Sequence, residues 1–371
     1  MEGKAKPLAK TQVMKKLDWY ILKKFLGTFV FIMLLLLCIT VVIDVSEKID
    51  AFVDNHATFS IVVREYLFYF ILFITSLIGP FFALVSVIFF TSQLASRSEI
   101  IAILNSGTSF YRFLYPYFIG ASILALTFYL GNNFFVPYSN SKRIDFEKKY
   151  VSKPYENARY NFHRMVEQGV VVYFENYKPS DGSGYKFSID KFKDGKLIYK
   201  LRSEKIEWDK QLQKWKVSDY YIREMAPGRD RISKGNELVT AFNFKPDDFS
   251  FAQHIKEEMT TPELKEYITY MYKTGQSDIE FYEVERYRRT SSAFSIYILT
   301  LIGVSVACRK MRGGLGWHLV LGIGLSALYE IIMKFSITFA TNSSLPPLVA
   351  VWIPNLLFGA AAFYLLKKAP K

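Results

Sequence analysis

Three long apolar runs, a polar stretch with a β-like pattern, and three further apolar runs leave this 371-residue chain few architectures. The runs are Phe25 to Ile43, Leu67 to Phe90, Phe113 to Val136, Ala293 to Cys308, Trp317 to Ala340 and Leu345 to Leu366. A helix needs about 20 residues to cross about 30 Å of hydrocarbon, and most of these runs reach that length. The fourth is short and is completed by Ser291 and Ser292 at its start. Inside lipid every backbone N–H and C=O needs a partner within the protein, which a helix supplies. The expected fold is an α-helical membrane protein with six transmembrane helices and an inserted all-β, jelly-roll-like domain on one side of the bilayer.

Orientation follows from the basic residues, which favour the cytoplasmic side of short loops. Lysines from Lys4 to Lys24 precede the first run, Arg97 and Arg112 lie between the second and third, and Arg309, Lys310 and Arg312 lie between the fourth and fifth. Lys367, Lys368 and Lys371 follow the sixth. On the opposite side the first loop is acid-rich (Asp44, Glu47, Asp50, Asp54) and Thr341 to Ser344 is uncharged. Both termini are expected in the cytoplasm and the insert outside. The first run is long and lacks a small-x-small cleavage site, so it reads as a retained signal anchor.

The formal charge of +13 raises a nucleic-acid reading, but positive-inside flanks account for much of it. No soluble module carries a basic stripe interleaved with stacking aromatics. Cys38 and Cys308 both sit in or at the edge of apolar runs, and form neither a disulfide framework nor a metal site. His56, His163, His254 and His318 are scattered without metal spacing. No G-x-x-x-x-G-K-[ST] loop occurs, and Gly182-Ser183-Gly184 has neither its spacing nor its ending. No catalytic set, cofactor or metal is expected, and any ATP used is hydrolysed by a partner.

Within the insert, Val170 to Phe174, Tyr185 to Phe192, Leu197 to Leu201, Lys205 to Trp208, Lys214 to Met225 and Leu238 to Phe244 read as short strands rich in β-branched and aromatic residues. Asp194-Gly195 marks a tight turn between two of them. This spacing suits an antiparallel sandwich or jelly roll, and equally a generic binding sandwich. Thr261-Pro262-Glu263 reads as a helix start with Gly275 as its stop, and a second helix starting near Ser277 or Asp278 runs into the fourth span. The expected domains are 1–136 with spans one to three, 137–258 as the β domain, 259–290 as a helical connector and 291–371 with spans four to six.

Between spans two and three, Ser96 followed three residues later by Glu99 matches a capping box, and Gly107 suits a left-handed stop. The result is a short helix across the cytoplasmic face with Ile100, Ile103, Leu104 and Gly107 on one side. Glu99 can serve as a cap, as a contact to a partner, or as both. In the fifth run Glu330 and Lys334 share a helix face at i and i+4. Ionisable groups at that depth face a bundle interior or a wet cavity, so Lys334 is a candidate for a lipid phosphate with Glu330 as its resting partner. The alternative is a self-neutralised pair whose lysine reaches the interface. Lys48, Lys142 and Arg143 are further candidate cations near the outer surface, or ordinary solvated residues.

Leu17-Asp18-Trp19-Tyr20-Ile21-Leu22 resembles the opening of the LptF/LptG lipopolysaccharide export permeases. Arg97-Ser98-Glu99-Ile100 through Ser106-Gly107 is similar to their coupling helix, and Phe135-Val136-Pro137 to their exit from span three. Gly275-Gln276, Arg309 to Gly316, Pro346-Pro347 and Trp352-Ile353-Pro354 fall in matching order. Family members carry a Pro shortly after the cation that opens span four, whereas Arg288-Arg289-Thr290-Ser291-Ser292-Ala293 has none.

The resemblance implies a half-transporter in the bacterial inner membrane that pairs with a paralogous permease and sits on a dimeric ABC ATPase. It would pass lipopolysaccharide to a periplasmic bridge of jelly-roll proteins, with the insert periplasmic. By the same resemblance Arg97, Glu99, Ile100, Ile103, Leu104 and Gly107 would couple to the ATPase. A different class remains open: a membrane-anchored periplasmic sensor or scaffold whose β-sandwich binds a ligand. An intramembrane enzyme lacks a convergent catalytic set.

Overall fold

The computed structural model describes residues 16–151, 159–178, 181–226, 229–246, 255–274, 279–309, 314–342 and 345–368. Its helices are α1 (Lys16–Asp54), α2 (Phe59–Ser96), α3 (Glu99–Asn105), α4 (Phe110–Tyr150), α5 (Ile255–Glu258), α6 (Thr261–Thr274), α7 (Ile279–Ala307), α8 (Gly314–Asn342) and α9 (Pro347–Lys368). Six of them, α1, α2, α4, α7, α8 and α9, are long and apolar enough to cross a membrane, and each covers all or nearly all of one of the six apolar runs.

Helices outrun their apolar segments, and two of these extensions, in α1 and α4, replace expected loop or exit segments. The acid-rich stretch Asp44 to Asp54, expected as a loop, forms the last turns of α1. It holds no Gly or Pro, and its charged side chains are adequate helix formers in water. Likewise α4 continues past Phe135-Val136-Pro137 to Tyr150. Proline lacks an N–H and crowds the carbonyl four residues back. A π-helical turn over Gly131–Phe135 widens the helix immediately before Pro137. A second π turn, Val62–Leu67, lies near the start of α2.

The chain divides into two compact units. The first comprises Met1–Asp44, Ile71–Asn133 and Tyr287–Lys371. Phe25, Phe29, Phe90, Phe113 and Tyr117 centre one cluster, drawn from α1, α2 and α4 with Ile296 and Val304 of α7. Leu84 and Ile88 of α2, Leu299 and Ile302 of α7, Tyr329 of α8 and Phe358 of α9 centre another. α2 and α7 thus supply side chains to both. Close approach is set by small residues: a methyl group on Gly120 would sit 2.5 Å from the Phe25 ring. With no proline after the Arg288-Arg289 pair, α7 is one unbroken helix, and its Ser291 hydroxyl donates to the Val351 carbonyl at 3.0 Å. Asn355 answers with a 2.8 Å hydrogen bond to Ser291 Oγ and accepts from the Tyr329 hydroxyl at 3.0 Å.

The second unit comprises Val45–Phe70 and Phe134–Arg286. Its sheet is a six-stranded antiparallel meander of β1 (Arg159–Glu167), β2 (Val170–Lys178), β3 (Ser183–Lys193), β4 (Lys196–Asp209), β5 (Lys214–Glu224) and β6 (Arg231–Thr240). The expected all-β insert is therefore present. Asp194 (φ 50°) and Gly195 (φ 74°) form the expected two-residue turn between β3 and β4. Three strand readings change. β1 is a strand that the pattern did not mark, and Leu197 to Leu201 and Lys205 to Trp208 are one strand, β4. The sixth strand ends at Thr240, so Phe242 and Phe244 lie beyond it and plug the sheet core with stacked rings 5.0 Å apart. The Trp215 indole N–H, fully buried, donates to the Phe244 carbonyl at 2.9 Å.

The cap of α6 lies one residue earlier than the sequence pattern suggests. Thr260 donates its N–H to Glu263 Oε2 at 2.8 Å, which makes Pro262 the second helical residue. Gly275, Gln276, Ser277 and Asp278 lie outside the described residues. Leu264, Ile268 and Met271 of α6 pack with Tyr282 of α7.

Candidate functional site

Three sets of candidate residues were legible in the sequence, and the structure treats them differently. The first is α3. Ser98 adopts a left-handed conformation (φ 61°) that separates α2 from α3, and Gly107 (φ 82°) stops the chain as expected, its N–H bonded to Leu104 O at 3.1 Å. The Ser96–Glu99 capping box does not form. α2 extends to Ser96, whose hydroxyl donates back to the Gln93 carbonyl at 3.0 Å, the usual bond of a serine in a last helical turn. The Glu99 carboxylate instead accepts from the Tyr20 hydroxyl of α1 at 3.3 Å.

Ile100 is buried, and Ile103 and Leu104 pack against the cluster around Phe90 and Phe113. That apolar side faces the chain's own helices. Arg97, Ile101, Asn105 and Gly107 are exposed. The start of α4 is tied to α1 by a nearly buried ion pair between Arg112 and Asp18, with the Arg112 guanidinium 4.9 Å from the Tyr115 ring centre. The sequence signal for this pair was slight: Asp18 is an isolated acid in a basic segment.

The second set gives a compact cluster within the second unit. Lys48, on α1 just past its apolar run, meets Glu147 of α4 at 2.9 Å. Arg143 reaches the same carboxylate oxygen at 2.9 Å and holds Asn140 Oδ1 through Nε at 3.0 Å and Nη2 at 2.8 Å. Tyr66, on the π turn of α2, accepts from Lys48 Nζ and donates to Glu147 at 3.3 Å. Its ring stacks on Phe146 and Phe70 with centres 5.2 and 5.6 Å apart, and Phe52 closes the side. Side-chain exposure is 20% for Lys48 and Glu147 and 10% for Arg143. Asn140 Nδ2 is buried without a hydrogen-bond partner among the described residues.

Two cations share one carboxylate here. Partial removal from water strengthens each of these bonds. A phosphate oxygen entering the cluster could take the place of Glu147 without loss of charge pairing. The sequence reading found Lys48 and Arg143 but missed Glu147, although its i,i+4 spacing from Arg143 was a signal. Lys142 stays outside, exposed over the Tyr138 ring at 5.7 Å.

The third set is looser. Glu330 is half-buried and Lys334 exposed on α8, and among the described residues no ion pair joins them. Arg288 of α7 and Lys334 are the cations that act on Glu330. No group of three or more His, Cys, Asp or Glu among the described residues could hold a metal ion.

This helical layout, with its inserted meander, is matched along nearly its whole length by one family, the lipopolysaccharide export system permease LptF/LptG, over residues 19–368. The chain belongs to that family. It is a membrane-embedded permease of a transport system and not itself an enzyme. No curated protein matches it. The LptF/LptG match begins at Trp19, so it takes in Tyr20 and Glu99, Arg112, and the Lys48–Glu147–Arg143 cluster.

Proposed function

We propose that this chain is the membrane half of an ABC exporter that lifts lipopolysaccharide from the inner membrane and delivers it to a periplasmic bridge of jelly-roll proteins. A second, paralogous permease and a dimeric ATPase complete the machine. The observation that carries this reading is the cluster in which Lys48 and Arg143 converge on Glu147 just beyond the apolar run of α1. An amphipathic lipid with phosphates needs cations beside the hydrocarbon boundary, and in this reading Lys48 and Arg143, set among aromatic rings, are those cations.

In this reading α3 is the coupling element on the cytoplasmic side. Closure of the ATPase pushes the exposed face of α3, and the Tyr20–Glu99 hydrogen bond passes the displacement to α1. Movement of α1 shifts Lys48 against Glu147 and exchanges the carboxylate for a lipid phosphate. Acyl chains gain nothing by entering water, so they need a continuous apolar path. In this reading the inner face of the sheet, lined by Val172, Phe174, Ile189 and Leu201 and closed by Phe242 and Phe244, becomes that path when the two phenylalanines swing aside.

The test is purification of the chain in nanodiscs with a photo-cross-linker placed at residue 52. Lipopolysaccharide adducts should form, and Lys48→Glu should reduce them at least about tenfold. Copurification of a nucleotide-binding ATPase and a second permease is expected. Unchanged adducts in Lys48→Glu, or a kinase in place of the ATPase, would overturn the reading in favour of a sensor.

A further inference from the structure

The outer face of the sheet, opposite the core, holds a groove of about 390 Å³, within the range of small-ligand sites. Its floor is one cross-strand row. Tyr173 of β2 stands opposite Ser188 of β3, Ser188 opposite Arg202 of β4, and Arg202 opposite Tyr221 of β5. Strands lie about 4.8 Å apart, so the two tyrosines stand about 14 Å from one another with the serine and arginine between them.

Beside this row runs a second, of Glu175, Lys186, Glu204 and Asp219, and the strand ladder skips all four positions. Lys186 (φ 47°) and Asp219 (φ 51°) are in the left-handed region in mid-strand, where a side chain is strained. The strain falls on alternate strands, in the row that lines the groove. Lys186 pairs with Glu175 at 2.8 Å. The Arg202 side chain, by contrast, has neither hydrogen bond nor ion pair among the described residues.

The chemistry of this lining excludes most occupants. Charged groups on the floor reject acyl chains, three carboxylates against two cations repel a polyanion such as nucleic acid while a single acid at Arg202 meets a cation, and no acidic or histidine cluster among the described residues holds a metal. An extended peptide adds to a sheet at its edge rather than across its face. A sugar chain meets every feature. Pyranose C–H faces lie on the sides of the Tyr173 and Tyr221 rings left by His163 and Lys234, hydroxyls donate to Glu204 and Asp219, and an acidic substituent takes the vacant fork of Arg202.

We propose that this groove binds an acidic oligosaccharide, the carbohydrate part of the exported glycolipid. The proposal rests on the lipid-export reading for the source of the sugar, and on the groove alone for its chemistry. The apolar inner face and this polar outer face would then hold the two halves of one amphipathic molecule on opposite sides of one sheet.

The experiment uses the full-length chain in nanodiscs, with lipopolysaccharide stripped of its acyl chains as the probe. Saturation-transfer NMR and calorimetry should show binding, with maltohexaose and inorganic phosphate each at least about tenfold weaker. Arg202→Gln and Tyr221→Ala should each weaken binding at least about tenfold, while Tyr221→Phe and the control Lys196→Gln keep it. Unchanged intrinsic tryptophan emission, to which Trp208 and Trp215 of the sheet contribute, together with an unchanged thermal midpoint, shows that the sheet is intact in each variant. Equal binding in Arg202→Gln, or phosphate competing as well as the sugar, overturns the proposal. Intact lipopolysaccharide that still copurifies while the stripped probe fails to bind sinks the groove and spares the export reading. Arg202-dependent binding of the probe without copurifying lipid does the reverse.

Discussion

Lys48 and Glu147, 99 residues apart in the chain, form an ion pair at 2.9 Å beside the stacked rings of Tyr66 and Phe146. Because Arg143 shares the same carboxylate, Glu147→Gln puts a neutral amide in place of the anion between two partly buried cations. Losing charge-assisted hydrogen bonds there costs about 1–3 kcal/mol, which should lower the thermal midpoint of the purified protein. The same variant should raise cross-linking to phosphate-bearing lipid, since the competing carboxylate is gone. A midpoint identical to wild type would show that the cluster does not stabilise the fold.

Asp18 and Arg112 join α1 to the first turn of α4, with Asp18 only 5% exposed. Removing one partner of a buried pair leaves an uncompensated charge, so Asp18→Ala is expected to destabilise by about 3 kcal/mol. Replacing both, as Asp18→Ala with Arg112→Leu, should recover most of that loss. A double-mutant cycle by thermal unfolding measures the coupling; simple additivity of the two single changes would refute it.

The α6 cap carries a pH dependence. The Thr260 hydroxyl, and then its backbone N–H, hold the Glu263 carboxyl below the usual carboxylate range. A depressed folded-state value means that the cap stabilises above the unfolded value, about 4, and that this contribution disappears as pH falls through the folded value. Amide exchange at Thr260, corrected for its intrinsic rate, should therefore be protected at neutral pH and lose protection in acid. In Glu263→Gln the protection should not change over that interval.

The six spans were legible because lipid demands length and apolarity, and every run but the short fourth satisfies both without reference to any other. Asp194-Gly195 and Gly107 were legible for a similar reason, since left-handed backbone is a local requirement. Local patterns misled where a neighbouring helix claimed the residue: Ser96 and Glu99 have cap spacing, yet α2 runs through Ser96. β1 escaped notice because it pairs on one side only and mixes His163, Arg164 and Glu167 among its apolar residues. The cation cluster was half legible. Lys48 and Arg143 drew notice as charges near an interface, but a contact across 99 residues has no signature in a single sequence.

Ile100 and Ile101 are adjacent in α3 and separate its structural side from its exposed side. Ile100 is 1% exposed in the cluster with Phe90 and Phe113, whereas Ile101 is 51% exposed. Ile100→Ala removes buried methyl groups and should cost about 2–4 kcal/mol, read as a lower thermal midpoint. Ile101→Glu lies on the surface and should leave stability within about 0.5 kcal/mol. If closure of the ATPase acts on this face, that second variant should weaken ATPase copurification at least about tenfold, and export with it, while the isolated permease stays as stable as wild type. Full retention of the ATPase by Ile101→Glu would move the coupling contact away from α3, and the Tyr20–Glu99 hydrogen bond would then have no part in transmitting it.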